Sequence, residues 1–546
     1  MGSIKSVGER KEHCRPIREQ QTVQKEVNTE RRKEEKKMST LKSAIGSHDA
    51  DAIIIPQTGP QLSYRGLRLA VEDFQSQLAR HGLHHGQAVS MALPNNAEFV
   101  VSFLAVTAQR CIAAPLNPAY KQPEFEFYID DIKSAMVLVP KGHVAKQEAA
   151  VRAARSFGAA IAEVSWDMAS ARLRLEVKEK GKKLTGSNKV DEPQPGDIAL
   201  ILHTSGTTGR PKAVPLTHEN LTSTMRNIVD TYKLSTSDRT LLVMPLFHVH
   251  GLLCALLAPL QSGGSLIIPT KFSAGQFWKD FIDYKANWYT AVPTIHQILL
   301  RNPPPSPRPE IRFIRSCSSA LAPTIFHQLE KTFGAPVVEA YAMTEASHQM
   351  TSNALPPDKR KAGTVGRGFG VEVKILNEQG KILAQGEEGE ICARGANVTK
   401  GYLNNDKANQ ESFTKEGYFR TGDQGKIDPD GYVIITGRIK ELINRGGEKI
   451  APAEIDDVLL QHPAVQEAVA FAVPDEMYGQ EVNAAIVLKE GKKADQKELQ
   501  SFVLGKMAKF KVPKVMYFTD NMPKTATGKI QRRVMVDIFV KPKSKL

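Results

Sequence analysis

Cysteine is scarce in this 546-residue chain: Cys14, Cys111, Cys254, Cys317 and Cys392 are scattered, odd in number and without metal-ligand spacing. That excludes a disulfide-stapled secreted scaffold and a cysteine-built metal centre, and predicts reduced thiols in an intracellular protein. Long apolar runs are missing too. No stretch approaches the ~18 residues of a membrane-spanning helix, the first residues lack the apolar core of a secretion signal, and the longest candidate, residues 251–260, reads as a buried helix. Acids are in deficit: 59 Asp plus Glu against 73 Lys plus Arg leave a net charge of +14, which invites nucleic-acid or anionic-membrane readings. Residues 1–37 account for four of those charges, with eleven Lys/Arg against seven acids. They carry almost no aliphatic side chains, the composition of a disordered basic extension, and Met38 behind them offers a second start.

What the chain does contain is an ordinary globular composition, 41% hydrophobic and 24% charged, long enough for several domains. Short β-rich runs at 198–203, 265–268, 288–292, 311–315 and 337–341 alternate with longer amphipathic stretches. That pattern predicts α/β layers around a largely parallel sheet. A hairpin signal at Asp428-Pro429-Asp430-Gly431 is followed by a strand at 432–436 and a polar, Gly-containing hinge at 437–447. Strands at 468–473, 484–488 and 515–518 and a helix at 495–507 then make a compact α+β unit of about a hundred residues. The expected organisation is a basic extension (1–37), a large multi-subdomain α/β domain (50–436), a small α+β domain (437–540) joined by a hinge, and a tail (541–546).

The densest local signal is Thr204-Ser205-Gly206-Thr207-Thr208-Gly209-Arg210-Pro211-Lys212, directly after an apolar strand. Two glycines let the backbone curve around an anion, hydroxyls donate to phosphate oxygens, and Lys212 adds a mobile charge. The spacing is not that of a Walker A loop, because Gly206 and Gly209 are three apart and Pro211 separates Arg210 from Lys212.

This segment resembles the phosphate loop of the adenylate-forming (AMP-binding) superfamily of acyl-CoA synthetases, luciferases and peptide-synthetase adenylation domains. Four more motifs stand in the family's order: PLFHVHG at 245–251, YAMTE at 341–345, YFRTGD at 418–423 running on to GRIKELINRGGEKI at 437–450, and PKTATGKIQRR at 523–533. The resemblance spans residues 50–540 and implies an ATP-dependent ligase with two half-reactions. Thr204, Ser205, Gly206, Thr207, Thr208 and Lys212 would hold the ATP phosphates, and Ser319, Glu339, Ala340, Tyr341 and Thr344 the nucleotide. Asp423 and Arg438 would bind the ribose. Lys529 resembles the catalytic lysine, placing positive charge between the attacking carboxylate and the α-phosphate. Glu345, a hard carboxylate beside Thr344, is the candidate for Mg²⁺ bridging phosphate oxygens. The family also implies rotation of the small domain about Lys440, exchanging the Lys529 face for one near Gly446 and Gly447 that admits coenzyme A.

The acid is read from the acyl side. His248 matches the family's gate beside the reacting carboxylate. Ser316-Cys317-Ser318-Ser319 brings hydroxyls where aryl-CoA ligases carry smooth apolar residues, and His250, His296 and His348 add further polar groups. Such donors suit an acid with a second polar end, since a buried second carboxylate must be paired; Ser318 and His348 are the candidate contacts. The spellings FHVHGL, SCSSALAP and EAYAMTEASHQM resemble the oxalate–CoA ligases of plants and fungi, the fungal peroxisomal type above all. That implies oxalate, ATP and coenzyme A giving oxalyl-CoA, AMP and diphosphate. Ser544-Lys545-Leu546 reads as the address for a peroxisomal import receptor. The alternatives are a 4-coumarate-like or medium-chain acyl-CoA ligase and, in a different class, an RNA- or membrane-surface-binding protein.

Overall fold

A computed structural model describes residues 39–184, 186–190, 192–204, 211–525 and 528–540. The basic extension, the phosphate-loop residues Ser205, Gly206, Thr207 and Thr208, and the C-terminal tripeptide lie outside the described residues. Four sheets organise the rest. The expected α/β class is found. The parallel run Asp51–Ile54, Ser265–Ile267, Arg239–Leu241, Trp288–Ala291, Phe313–Ser316 and Val337–Met343 forms the centre of a nine-stranded sheet. A seven-stranded sheet has a parallel centre from Ala160–Asp167 to Ile198–Thr204 and antiparallel edges. Strands buried on both faces need continuous apolar runs, and Met136–Pro140, Ala88–Met91 and Trp288–Ala291 are almost wholly buried. A continuous core joins the two large sheets.

A four-stranded antiparallel sheet (Glu372–Leu376, Gly389–Arg394, Phe419–Ile427, Val433–Arg438) follows, its last hairpin turning at Gly431, where φ is 84°. The final five-stranded sheet has cores built from residues 443–539 alone. Its strand Val515–Phe518 matches the expected bounds, and its helix starts at Gln496 because Asp495 caps it, accepting from the Glu498 amide at 2.8 Å.

Several elements depart from the expected ends by a few residues, the helix expected at 495–507 stopping at Leu504 and the strand expected at 484–488 beginning at Gly479; two departures bear on the site. The strand expected at 311–315 runs Phe313–Ser316. It begins two residues later than expected; the Arg312 side chain, just before it, bonds Asp238 (2.9 Å) and the Tyr232 carbonyl (2.7 Å), while its amide still donates to the Asn287 carbonyl at 2.7 Å. The buried helix expected at 251–260 opens with a π-helical segment, His250–Leu257, before the α-helical Ala258–Gln261. The wider turn, with its i→i+5 bonds, goes with unusually close backbone packing: a Cβ on Gly251 would lie 2.2 Å from the Pro245 carbonyl oxygen.

Candidate active site

The phosphate loop connects two antiparallel strands, Ile198–Thr204 and Lys212–Thr217, whose ends pair Thr204 with Lys212. The Lys212 ammonium lies over the Tyr402 ring at 4.5 Å. The Tyr402 hydroxyl donates to Glu345 Oε1 at 2.8 Å. Lys212, Tyr402 and Glu345 are thus one constellation. Burial raises the Glu345 carboxyl above its usual range, against the stabilising hydroxyl of Tyr402. The strand Val337–Met343 delivers Thr344 and Glu345 into a single 3₁₀ turn. The Thr399 amide donates to the Glu345 carbonyl (2.7 Å) and the Ser347 hydroxyl to the Asn397 carbonyl (2.8 Å). These bonds hold Ser347 (φ 51°) and His348 (φ 111°) in left-handed backbone that only local over-determination sustains.

The same strand carries three expected nucleotide residues. Ala340 is buried and paired with Ser352. Tyr341 donates its hydroxyl to Asp423 Oδ2. Asp423 in turn accepts from Arg438 Nε at 3.0 Å, the two being cross-strand neighbours on the last hairpin. Glu339 Oε1 accepts the Leu321 amide at 2.9 Å, while Oε2 is buried with no partner. Burial pushes this carboxyl up to about 8, Asp457 from the small unit pushing the same way. Ser319 sits in the neighbouring loop, its hydroxyl bonded to the Ser318 carbonyl at 2.8 Å.

Lys529 reaches this group from the C-terminal unit. The Thr294 hydroxyl donates to the Gly528 carbonyl at 2.9 Å, docking the lysine's loop on the first turn of the helix Pro293–Arg301 that follows the strand Trp288–Ala291. The Lys529 side chain is accessible within the cleft. Enclosure by its walls, and next the charge of Arg438, pulls its ammonium below the usual range, with Asp423 opposing. Gly446 and Gly447 are elsewhere. They turn the hairpin Ile443–Arg445/Glu448–Ile450 at φ 59° and 96°; Gly446 packs on Tyr478, and a Cβ at Gly447 would meet nothing within 4 Å. Lys440 stands in the 3₁₀ turn Ile439–Glu441 that leaves Arg438 for this unit.

On the acyl side, Asn95 clamps residues 244–246, accepting from the Leu246 amide (2.9 Å) and donating to the Met244 carbonyl (3.1 Å). His248 follows and, with Phe247, Leu202, His203 and Thr344, lines a cavity of about 40 Å³. The His250 amide donates to His248 Nδ1 at 3.2 Å, which leaves the ring proton on Nε2. Burial first, then Lys529, lowers His248 to about 4. The His250 ring bridges Ser318 Oγ (Nδ1, 3.1 Å) and Thr290 Oγ1 (Nε2, 2.6 Å) and stacks on His348 at 5.3 Å. Both ring nitrogens of His348 are buried and have no hydrogen-bond partner among the described residues. Burial and then Arg315 hold His250 and His348 well below their usual range. Near neutrality all three imidazoles are therefore uncharged.

Arg315 escaped the sequence reading. It is 0% exposed, and its guanidinium donates to the Tyr232 hydroxyl (2.7 Å), Thr290 Oγ1 (3.2 Å) and Gln349 Oε1 (3.2 Å). Among the described residues it forms no ion pair with an acid. The signal that was there to find it is a charge inside an otherwise apolar strand run. His296, the remaining candidate polar group, is buried against Tyr289, whose hydroxyl lies 3.3 Å from its Nδ1.

Comparison with known proteins bears on this geometry. The AMP-binding enzyme family matches residues 42–403, and the AMP-binding enzyme C-terminal domain matches residues 454–529. An oxalate–CoA ligase of Saccharomyces cerevisiae is 50% identical over 525 residues, covering 91% of this chain and 97% of that protein. An oxalate–CoA ligase of Arabidopsis thaliana is 49% identical over 488 residues, covering 88% of this chain and 94% of that protein. Among solved structures, ATP-bound MatB from Rhodopseudomonas palustris is similar with a TM-score of 0.82 at 29% identity, over 92% of this chain and 99% of that one.

Proposed function

This chain belongs to the AMP-binding enzyme family, and from that premise we propose that it joins oxalate to coenzyme A at the expense of ATP, through an acyl-adenylate. One observation carries the mechanism: Lys529, docked through Gly528 on Thr294, shares a cleft with the Asp423–Arg438 pair and with His248. An oxalate oxygen attacks the α-phosphorus, the bond to the β-phosphate oxygen breaks, and diphosphate leaves. Charge builds on the α-phosphate oxygens in that step, and Lys529 is the cation placed to meet it. Asp423 opposes the lowering of the Lys529 pKa by enclosure and by Arg438. In the second half-reaction the coenzyme A thiolate attacks the activated carbonyl and AMP leaves. Residues 437–540 would rotate about Lys440 for that step, bringing Gly446 and Gly447 to the cleft; rotation would carry Gly528 away from Thr294.

Mg²⁺ fits one residue here. Glu345 is a buried carboxylate that burial biases toward the neutral acid, so it would hold a divalent cation that favours its charged form and supplies positive charge to the phosphates. Among the described residues no cluster of three or more His, Cys, Asp or Glu could hold a metal. When bound, the cation neutralises phosphate charge. Tyr402, under Lys212, bonds Glu345, and Tyr341 and Arg438 bond the Asp423 carboxylate, which would accept from the two ribose hydroxyls.

The test is diphosphate release across a panel of acids. Oxalate is expected to exceed 4-coumarate and octanoate by at least about a hundredfold in kcat/KM; a cinnamate or octanoate outrunning it removes the substrate assignment. We place the enzyme in the peroxisome, delivered by an import receptor that reads Ser544-Lys545-Leu546.

A further inference from the structure

Arg315 is a permanent cation with 0% exposure, and Tyr232, Thr290 and Gln349 surround its guanidinium with neutral acceptors. A buried charge without a counter-ion is costly and persists where something offsets it. Hydrogen-bond bookkeeping shows where its influence goes. The guanidinium is donor-only, so Thr290 Oγ1 accepts from it at 3.2 Å. His250 Nε2 also faces Arg315 Nη1 at 3.5 Å, a donor with no acceptor capacity, so this nitrogen is the acceptor and the Thr290 proton goes to it at 2.6 Å. A neutral imidazole that accepts at Nε2 donates at Nδ1, so His250 gives its proton to Ser318 Oγ at 3.1 Å. Ser318 is left with its own proton to donate. This half-buried residue is held with φ at 75°, and its loop leads into the cleft. Every bond in the chain points its donor away from Arg315 and toward Ser318. Beside it, His348 stacks on His250 at 5.3 Å with both ring nitrogens buried and without a hydrogen-bond partner among the described residues.

We infer that Arg315 is a positioning residue for the acid: through Thr290 and His250 it orients Ser318 as a donor and supplies the positive field that selects a substrate whose second end is a carboxylate. The inference rests on the oxalate reading and extends it to a residue that need not touch the substrate. A chain of polarised hydrogen bonds strengthens its terminal donor. The donor at the end of this chain gains most against an anionic acceptor, so the effect separates a dicarboxylate from a neutral isostere.

Oxalate and oxamate make that comparison, being alike in size and differing by one charge. Adenylation of each is measured with the full chain, wild type, Arg315→Met, Arg315→Lys and Thr290→Val, as kcat and KM for the acid and for ATP. In Arg315→Met the KM for oxalate is expected to rise about tenfold to a hundredfold, with the oxamate and ATP values within about threefold. Arg315→Lys keeps the charge and is expected to retain most of the preference for oxalate. Thr290→Val breaks the relay at a β-branched isostere and is expected to lose about tenfold on oxalate, which decides the matter if Arg315→Met does not fold. Equal losses on oxalate and oxamate, or an unchanged ratio in both Arg315→Met and Thr290→Val, overturn the inference. A wild type that adenylates malonate but not oxalate overturns the oxalate reading alone, and malonate against malonamate then decides Arg315 in the same way. A wild type confined to monocarboxylates overturns both.

Discussion

Lys529, exposed in the cleft, and Glu339, buried, show how differently two titratable residues can be read. Lys529 is proposed to act only in the first half-reaction. Replacement by alanine is therefore expected to slow adenylate formation by about a hundredfold or more, while thioester formation from supplied oxalyl-adenylate stays within a few-fold of wild type. Separate assays of diphosphate exchange and of CoA consumption check this; equal loss in both would contradict a role confined to adenylation. Glu339 makes a prediction about stability. Its folded pKa, about 8, is raised above the ordinary carboxylate value of 4.5. Between those values the unfolded chain releases the proton and the folded chain keeps it, so Glu339 makes stability fall as pH rises from about 4.5 to 8, with no further change above. Glu339→Gln preserves an acceptor for the Leu321 amide and removes the titration. At pH 8 it is expected to be more stable than wild type by about 1 kcal/mol or more, one pKa unit's worth, with the gain shrinking toward pH 5 in denaturant titrations. The motif spellings made Glu339 and Lys529 legible as candidates. Glu339's orphaned oxygen was not legible, because it depends on a loop eighteen residues upstream folding back to occupy the other oxygen.

At the scale of elements, the strands whose ends build the site were readable from apolar runs, since burial on both faces leaves little else to place there. Val515–Phe518 and Val337–Met343 start where the sequence pattern put them. The π-helical His250–Leu257 could not be read, because an all-apolar segment has no periodicity to distinguish one helical winding from another. Arg315 was hidden for a related reason: pattern reading treats a single charge at a strand end as a boundary, and here the strand continues to Ser316. The element-scale prediction concerns Thr294, in the first turn of the helix Pro293–Arg301. Thr294→Val deletes the hydroxyl that accepts no role in chemistry but bonds the Gly528 carbonyl at 2.9 Å. Adenylation is expected to fall about threefold to tenfold, as one hydrogen bond of about 1 kcal/mol would give, with thioester formation unchanged or faster. Stopped-flow measurement of the two half-reactions checks it, and a matching loss in both steps would show that Thr294 serves folding alone.

For the whole molecule, the +14 net charge takes on a narrower meaning. Lys212, Arg438 and Lys529 gather at the cleft proposed for ATP, and four more of the charges belong to residues 1–37. An enzyme handling polyanionic nucleotides needs such an excess near its site, so the excess is no independent argument for nucleic acid or membrane. Addressing belongs to this scale too. A fluorescent protein fused ahead of the chain is expected to give punctate peroxisomal signal, and removal of Ser544-Lys545-Leu546 to leave it diffuse; punctate signal without the tripeptide would show that another segment carries the address.

The bond between Thr294 and Gly528 also bears on timing. One hydroxyl-to-carbonyl bond biases two arrangements only about fivefold, so in the proposed rotation this contact would hold the small unit only lightly, and occupancy of the cleft would decide which face it turns inward. With Lys529 seated, the acceptor thiol has no work to do until diphosphate has departed. The two halves of the reaction then run in series, each CoA is met by an acid already activated, and little ATP is lost to a thiol arriving too soon.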